Sequence, residues 1–462
     1  MLWLLILFFF LRLPSLFEPY WYGDEGIYLA LGQGIRGGLT LYSQIHDNKP
    51  PTLYYLAAMS QTVFGFRLLL LLWMIPTIYL FYRLALKFLA KKPAKLATLL
   101  FLILTSIPLF EGNIANAEIF MLLPTIAAVY LLLSKPLVSG LLLGFAFTIK
   151  VPVAIEFAFF FLWIFVFFKD KFLVKLKNLF LFTLGFSLPI LLYLIYFWRQ
   201  GALQPFLVSS LLQNFGYLSS WSTGTHQASA ASGGLVTRGV IMLLLWLLAY
   251  VLYRRQKISR QFLFLFAWFF AALMGVLLPG RPYPHYLIQI LPPFCLLIFY
   301  FSKYLLPSLL AFFILIYSLF HFKFYFYPVC SYYKNFYSYA LHLRSRDDYR
   351  RFFGDRVPDF YHIANRVRAL STPQDTLFIW GDDAYLYPLS QRLPATKYLV
   401  AYHIVDFQGH DLTVSQLKAQ TPAIIVYYPQ PSRPFPQLDN FINRYYHLVD
   451  QVGNASIYRY NQ

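Results

Sequence analysis

Asp24 and Glu25 stand side by side in a polar stretch just after the first apolar run, and Lys49-Pro50-Pro51 closes that stretch before the next run begins. A carboxylate at the mouth of a helical bundle can accept a proton from an incoming hydroxyl or bind a divalent cation. A lysine held at a fixed turn by two prolines can face a phosphate at headgroup depth as a compact point charge. His46-Asp47-Asn48 immediately before it adds a ring and a further carboxylate. Local alternatives exist for both: Asp24 as the N-cap of a helix beginning at Glu25, and Lys49 as an interfacial lysine with its head in water.

The chain around these residues gives them weight. Of 462 residues, 59% are hydrophobic, 21% aromatic and only 12% charged, and the mean hydropathy is +0.56. That composition excludes an ordinary soluble domain and predicts a polytopic α-helical membrane protein, in which carboxylates flanked by spans are costly to keep. The net charge of +19 gathers in short loops rather than along one face, so it reads as a topology signal and no nucleic-acid partner is expected.

Apolar runs at 2–17, 66–89, 96–110, 118–133, 136–149, 151–168, 178–198, 235–253, 261–279, 286–301 and 304–320 predict about eleven spans. With the first run entering from the cytoplasm, the basic loops holding Lys87 to Lys95, Lys169 to Lys177 and Arg254 to Arg260 all fall inside. Glu18, Asp24, Glu25, Asp47, Glu111 and Glu118 then fall outside, and an odd number of spans puts 322–462 outside as well. The first run reads as a retained anchor, since its basic residue, Arg12, lies late and no small-residue cleavage pattern follows. The segment from Pro51 to Phe64 is too short to cross and is predicted as a helix at the outer surface, started by Pro50-Pro51. The outer loop 199–234, with its Ser219 to His226 stretch, has the composition of a mobile flap.

After residue 321 alternation replaces long runs. Thr376–Trp380 reads as a strand ending at Gly381, followed by a helix from Asp382 to Arg392. Ala423–Tyr428 reads as a second strand, Leu438–Leu448 as a helix and Ser456–Tyr460 as a last strand, together a small α/β domain.

An acidic motif after the first span and a Lys-Pro exit resemble the GT-C superfamily of membrane glycosyltransferases, in particular the group of protein O-mannosyltransferases and lipid A aminoarabinose transferases. Asn116-Ala117-Glu118, the segment Gly144 to Lys150, and Arg281-Pro282-Tyr283-Pro284-His285-Tyr286 ahead of Leu291-Pro292-Pro293 match that group in order. The resemblance implies a GT-C transmembrane catalytic domain over 1–321, with outer loops 18–65 and 199–234, and an extracytoplasmic soluble α/β domain over 322–462. It implies an inverting transfer of one sugar from a polyprenyl-phosphate donor to a lipid, glycan or protein acceptor outside the plasma (inner) membrane. Under it Asp24, with Glu25, is catalytic, and Lys49, Lys150, Arg281 and His285 bind the donor phosphate. Glu118, Asp47, His46 and His226 stay open as acceptor or metal ligands. Some relatives hold a divalent ion through a Glu before the Lys-Pro, where this chain has Asn48, and no zinc-like spacing is present. A divalent cation therefore stays open and no other cofactor is expected. The rival is a transporter or flippase of lipid-linked saccharides; one-sided clustering of the charged motifs and the lack of repeated halves weigh against it.

Overall fold

The computed structural model describes residues 2–168, 171–213, 235–279, 281–300, 305–324 and 326–461. Helical structure stands at each of the expected apolar runs, and the run at 286–301 is divided at two points, into the tight turns Pro284–Ile290 and Ile298–Tyr300 around the short helix Leu291–Leu297. The first run forms Leu2–Arg12 continued by the tight turn Leu13–Phe17, and the run at 118–133 is divided at Met121 into Ala117–Phe120 and Leu122–Leu131. Among the described residues three helices are long and apolar enough to cross a membrane: Val63–Phe88, Phe172–Arg199 and Arg260–Leu277. The other apolar helices are shorter. The stretch after Pro51 is helical over Thr52–Ser60, as its two prolines predict.

The chain divides into two compact units, and neither is continuous in sequence. One comprises Met1–Leu13, Leu70–Tyr196 and Leu211–Val329; the other comprises Pro14–Leu69, Phe197–Ser210 and Cys330–Gln462.

The first unit is helical, and its tightest joint is made by glycine. A Cβ on Gly140 would lie 2.0 Å from the Phe182 carbonyl oxygen, one on Gly144 2.2 Å from that of Phe186, and one on Gly185 2.1 Å from that of Leu137. Helices Pro136–Phe147 and Phe172–Arg199 therefore meet backbone to backbone. Small residues spaced by four permit this approach, which supplies packing where lipid removes the hydrophobic drive between helices. Phe157 stacks over Phe186 at 4.0 Å beside the joint. Buried Arg12 ends the helix Leu2–Arg12 by donating to the carbonyls of Thr105 at 2.9 Å and Gly112 at 2.6 Å, satisfying acceptors beyond the end of the helix Lys91–Leu104. Phe180, Leu192 and Trp198 are exposed on the helix Phe172–Arg199, an apolar outer surface suited to lipid.

The second unit packs the helix Gly23–Arg36 on Thr52–Ser60, with Gly32 against the Ala57–Ala58 backbone, and on the C-terminal segment, with Gly26 against Tyr385. The C-terminal segment carries one sheet: β1 Thr376–Trp380, β2 Leu393–Pro394, β3 Ile424–Tyr427, β4 Tyr446–Val452 and β5 Ala455–Tyr460, in the order β2-β1-β3-β5-β4. The first three strands are parallel and β5 runs antiparallel to both β3 and β4. Phe378, Trp380, Ile425, Leu417, Phe435 and Leu438 fill one face. β1 has the expected bounds. The helix expected over 382–392 is reduced to Leu386–Ser390, because Gly381 to Ala384 turn away from β1 and Gln391, in the left-handed region, ends it. The helix expected to reach Leu448 stops at Tyr445, where Tyr446 begins β4 and pairs with Tyr460.

Replacing Gly140 with Leu should force the joint apart. The expected result is a loss of about 1–3 kcal/mol of stability, read as a fall in melting midpoint in detergent. The exposed neighbour Leu141→Ala should leave the midpoint close to wild type.

Candidate functional site

Helix Gly23–Arg36 begins with Tyr22 as its N-cap, in extended backbone and without a side-chain capping bond. Asp24 lies inside the first turn and not at the N-cap. Its carboxylate accepts from the Tyr28 hydroxyl, one turn on, at 2.9 Å, and from Lys49 Nζ at 3.3 Å. The spacing explains the first contact, since residues four apart share a helix face. Lys49 is fixed at its backbone: its N–H donates to the Tyr54 hydroxyl at 3.1 Å and its carbonyl accepts from the Tyr42 hydroxyl at 2.7 Å. Its ammonium stands 5.0 Å from the centre of the Tyr28 ring.

Asp47 completes this group. It accepts from the Tyr54 hydroxyl at 2.8 Å, lies 3.9 Å from Lys49 Nζ and 3.7 Å from His403 Nε2, and is buried. Asp24 and Lys49 keep 31% and 24% of their side-chain surface. Burial pushes the Tyr28 hydroxyl well up, with Asp24 adding to it, and burial likewise raises Tyr54, with Asp47 adding. Both phenols therefore stay protonated and donate to the carboxylates. His46 is buried beside them; its backbone N–H donates to the Lys397 carbonyl at 3.0 Å and its ring Nδ1 lies 3.2 Å from Ser209 Oγ. Its ring meets Phe407 edge-on at 4.7 Å.

Glu25 goes elsewhere. Arg67 grips it in two parallel bonds, Nε to Oε1 at 2.9 Å and Nη2 to Oε2 at 2.5 Å, while Nη1 holds Glu18 at 2.6 Å and the Ser15 carbonyl at 3.0 Å. Tyr332 donates to Glu18 at 2.5 Å. All of these charged groups are buried. Both Glu25 oxygens are taken up by the guanidinium and buried, so the acidic pair read in the sequence separates into one candidate open to solvent, Asp24, and one structural anchor, Glu25.

A second charged group lies in the other unit. Glu118 sits in the first turn of Ala117–Phe120, whose N-cap Asn116 makes no side-chain capping bond. Glu118 pairs with Lys150, and the Lys150 ammonium stands 4.2 Å over the Tyr286 ring. His285 binds Glu111 through Nδ1 and lies 3.6 Å from Glu118 through Nε2. Glu111 holds a left-handed φ of 57°, a costly conformation for a side-chain-bearing residue. Lys150 thus has a buried anionic partner instead of a free path to an interface. Arg281, half-buried, precedes the turn Pro284–Ile290 that carries His285. His226 and the Ser219 to His226 stretch lie outside the described residues.

Tyr28, Tyr54, Arg67, Glu111 and His403 are the participants that sequence reasoning did not single out. Tyr28 was within reach from its spacing to Asp24; His403 carried no local signal. Among the described residues no three His, Cys, Asp or Glu side chains form a group able to hold a metal.

No family model and no curated protein matches the chain. Among solved structures, ArnT from Cupriavidus metallidurans bound to undecaprenyl phosphate is similar at a TM-score of 0.59 and 13% identity, over 98% of this chain and 97% of that one. The apo state of the same protein gives 0.47 at 12% identity, over 99% and 97%. The apo Archaeoglobus fulgidus oligosaccharyltransferase gives 0.46 at 13% identity, over 92% of this chain and 69% of that one. The first of these shows a fold shared with ArnT over nearly the whole of both chains.

Burial pushes His46 down to about 2, with His403 and then Lys397 adding positive charge nearby, against an ordinary value of 6.5. Between those values the unfolded chain binds a proton that the folded chain does not. Stability is therefore full above the ordinary histidine range and falls as pH drops through it, by about 1.4 kcal/mol per unit for one such group. His403, lowered first by burial, acts in the same direction. Melting midpoints in detergent should fall from about pH 7.5 to about pH 5, with a shallower slope in His46→Gln.

Proposed function

We propose that this chain is an inverting glycosyltransferase that moves a sugar from a polyprenyl-phosphate donor to an acceptor on the extracytoplasmic face of a membrane. The observation that carries the reading is the Asp24–Lys49 pair: a carboxylate in the first turn of its helix and partly open to solvent, 3.3 Å from a lysine whose backbone is bound on both sides. The shared fold with ArnT supports it, as do the apolar helices long enough to cross a membrane.

In the reaction the acceptor hydroxyl attacks the anomeric carbon as the bond from that carbon to the phosphate oxygen breaks. The sugar changes owner with inversion, the lipid phosphate leaves with the bonding electron pair, and the hydroxyl proton passes to Asp24. Phosphate leaves readily once its charge is neutralised, so one base and nearby cations suffice, without the two carboxyls of a glycosidase. Lys49 meets the phosphate by exchanging its contact with Asp24 for one with the ligand, which also frees Asp24 to accept the proton. Lys150, Arg281 and His285 are assigned to the donor phosphate as well, with Glu118 and Glu111 as their resting counter-charges. Asp47 and His46 shape the ground around Lys49, and Glu25 anchors the helix that presents Asp24. The packing of residues 14–69 with 330–462 in one unit supports a common side for the first outer loop and the C-terminal segment. The acceptor is a hydroxyl of a lipid, glycan or protein.

Purified protein given isotope-labelled polyprenyl-phosphate sugars should release lipid phosphate and glycosylate an acceptor. Asp24→Asn should cut kcat by about 10²–10⁴, with the fold and the donor KM kept. Unchanged turnover in that variant removes the base assignment, and movement of intact lipid-linked saccharide across vesicles without bond cleavage favours the transporter. Lys49→Met should act differently, raising donor KM by about tenfold or more through the lost phosphate contact.

A further inference from the structure

We propose that His403, carried by the C-terminal helix Ala401–Asp406, is a positioning residue for the Lys49 site: it holds Asp47 and thereby sets how Lys49 is shared between Asp47 and Asp24. The inference rests on the glycosyltransferase reading and adds to it a role for the C-terminal segment.

Lys49 stands between two carboxylates at nearly equal range, 3.3 Å from Asp24 and 3.9 Å from Asp47. Which of them it favours depends on what else balances Asp47. That carboxylate is buried and has the Tyr54 hydroxyl at 2.8 Å, the Asn48 N–H at 2.8 Å, and, from the C-terminal segment, His403 Nε2 at 3.7 Å. The last distance is beyond a hydrogen bond but within ion-pair range, where a buried site keeps electrostatic coupling strong.

The ring is held firmly. His403 is 4% exposed, packed against Tyr402 at 4.4 Å and against His46 and Phe407 at 5.6 Å each. Its helix is tied at the start to the end of β1: Ala401 N–H donates to the Gly381 carbonyl at 2.8 Å, and Tyr402 N–H to Asp382 at 3.2 Å. The sheet therefore sets the helix, the helix sets the ring, and the ring faces Asp47. The buried Nδ1 has no hydrogen-bond partner. That favours a neutral ring with its proton on Nε2 toward the carboxylate, since a buried N–H without an acceptor costs more than a bare ring nitrogen.

Five charged or titratable groups bear on the ring: Asp47, Lys49, Asp406, Asp24 and His46. Burial, the largest influence, lowers its proton affinity; Asp47 opposes this, Lys49 adds to it, and Asp406 and Asp24 oppose it. His403 is thus neutral at neutral pH. On acidification it gains a proton, becomes a full counter-charge to Asp47 and leaves Lys49 to Asp24, where the lysine blocks the base. The acid limb of the activity profile then contains the ionisation of His403.

The test uses the full chain in detergent, with undecaprenyl phosphate as the binding probe and a labelled polyprenyl-phosphate sugar as donor. His403→Leu should raise donor KM by about tenfold, weaken probe binding alike, and remove an ionisation from the acid limb of the kcat/KM profile. His403→Gln places an amide N–H near the Nε2 position, so it should restore KM to within about twofold while still lacking that ionisation. Wild-type KM and acid limb in His403→Leu overturn the inference, and so does a His403→Gln variant as impaired as the Leu one. If His403→Leu does not fold, the acid limb of His403→Gln decides: a lost ionisation supports the role and a retained one overturns it. A wild-type chain that neither binds the probe nor transfers sugar overturns the underlying reading, and the inference with it.

Discussion

One guanidinium holds the second unit in order. Arg67 is fully buried at the start of a long apolar helix, and two buried carboxylates close on it, Glu25 through two bonds and Glu18 through one. Taking three charges out of water is costly, and the cost is offset only where geometry is good and remaining valences are met. Here they are met by the Ser15 carbonyl and the Tyr332 hydroxyl. The network joins the turn before the Asp24 helix, that helix itself, the start of Val63–Phe88 and the helix Val329–Ala340. Removing Arg67 would strand two carboxylates among apolar neighbours, whereas removing either carboxylate alone leaves the arginine one partner. The arrangement fixes the rotation of the Asp24 helix, since Glu25 on the adjacent position is pinned inward and Asp24, about 100° further round, is directed to Lys49.

The parts of this architecture that were legible in the sequence share a cause. Asp24, Lys49 and the motif residues Glu118, Lys150 and His285 are charged or titratable groups in a chain where such groups are scarce, and scarcity alone marks them. β1 was legible because five apolar and β-prone residues end abruptly at Gly381. Glu25 could not be separated from Asp24 by type or position; only the partner, Arg67, distinguishes them, and Arg67 reads in sequence as an ordinary basic residue opening an apolar run. His403 was out of reach for a different reason. Its partner, Asp47, is joined to it by tertiary folding of the C-terminal segment, and neither residue carries a periodicity that reports the other. The boundary at Tyr445–Tyr446 was misplaced because the helical apolar pattern continues past it, while pairing of Tyr446 with Tyr460 across a turn at Gly453, φ 59°, decides for strand.

Exposure then decides which ion pairs can take part in chemistry. The pairs of Arg67 are dry, and a ligand would have to break into the core to compete for them. Lys150 with Glu118 and His285 with Glu111 are also largely buried pairs, so under the proposed function contact with a phosphate would require their carboxylates to rearrange. Asp24 and Lys49 differ, each keeping about a quarter to a third of its side chain in contact with solvent. A pair in that setting is worth about 1 kcal/mol or less, which a dianionic or monoanionic phosphate can match with a charge-assisted bond of its own. Under the proposed function Lys49 is therefore the cation most easily passed from a carboxylate to a ligand, and the passage would uncover the carboxylate as the ligand arrives. Its backbone, bound by Tyr42 and Tyr54, stays in place while the ammonium moves. Under the proposed function, a fixed stem, an exchangeable head and a base exposed by the exchange would couple donor binding to the readiness of Asp24 for the proton that acceptor attack releases.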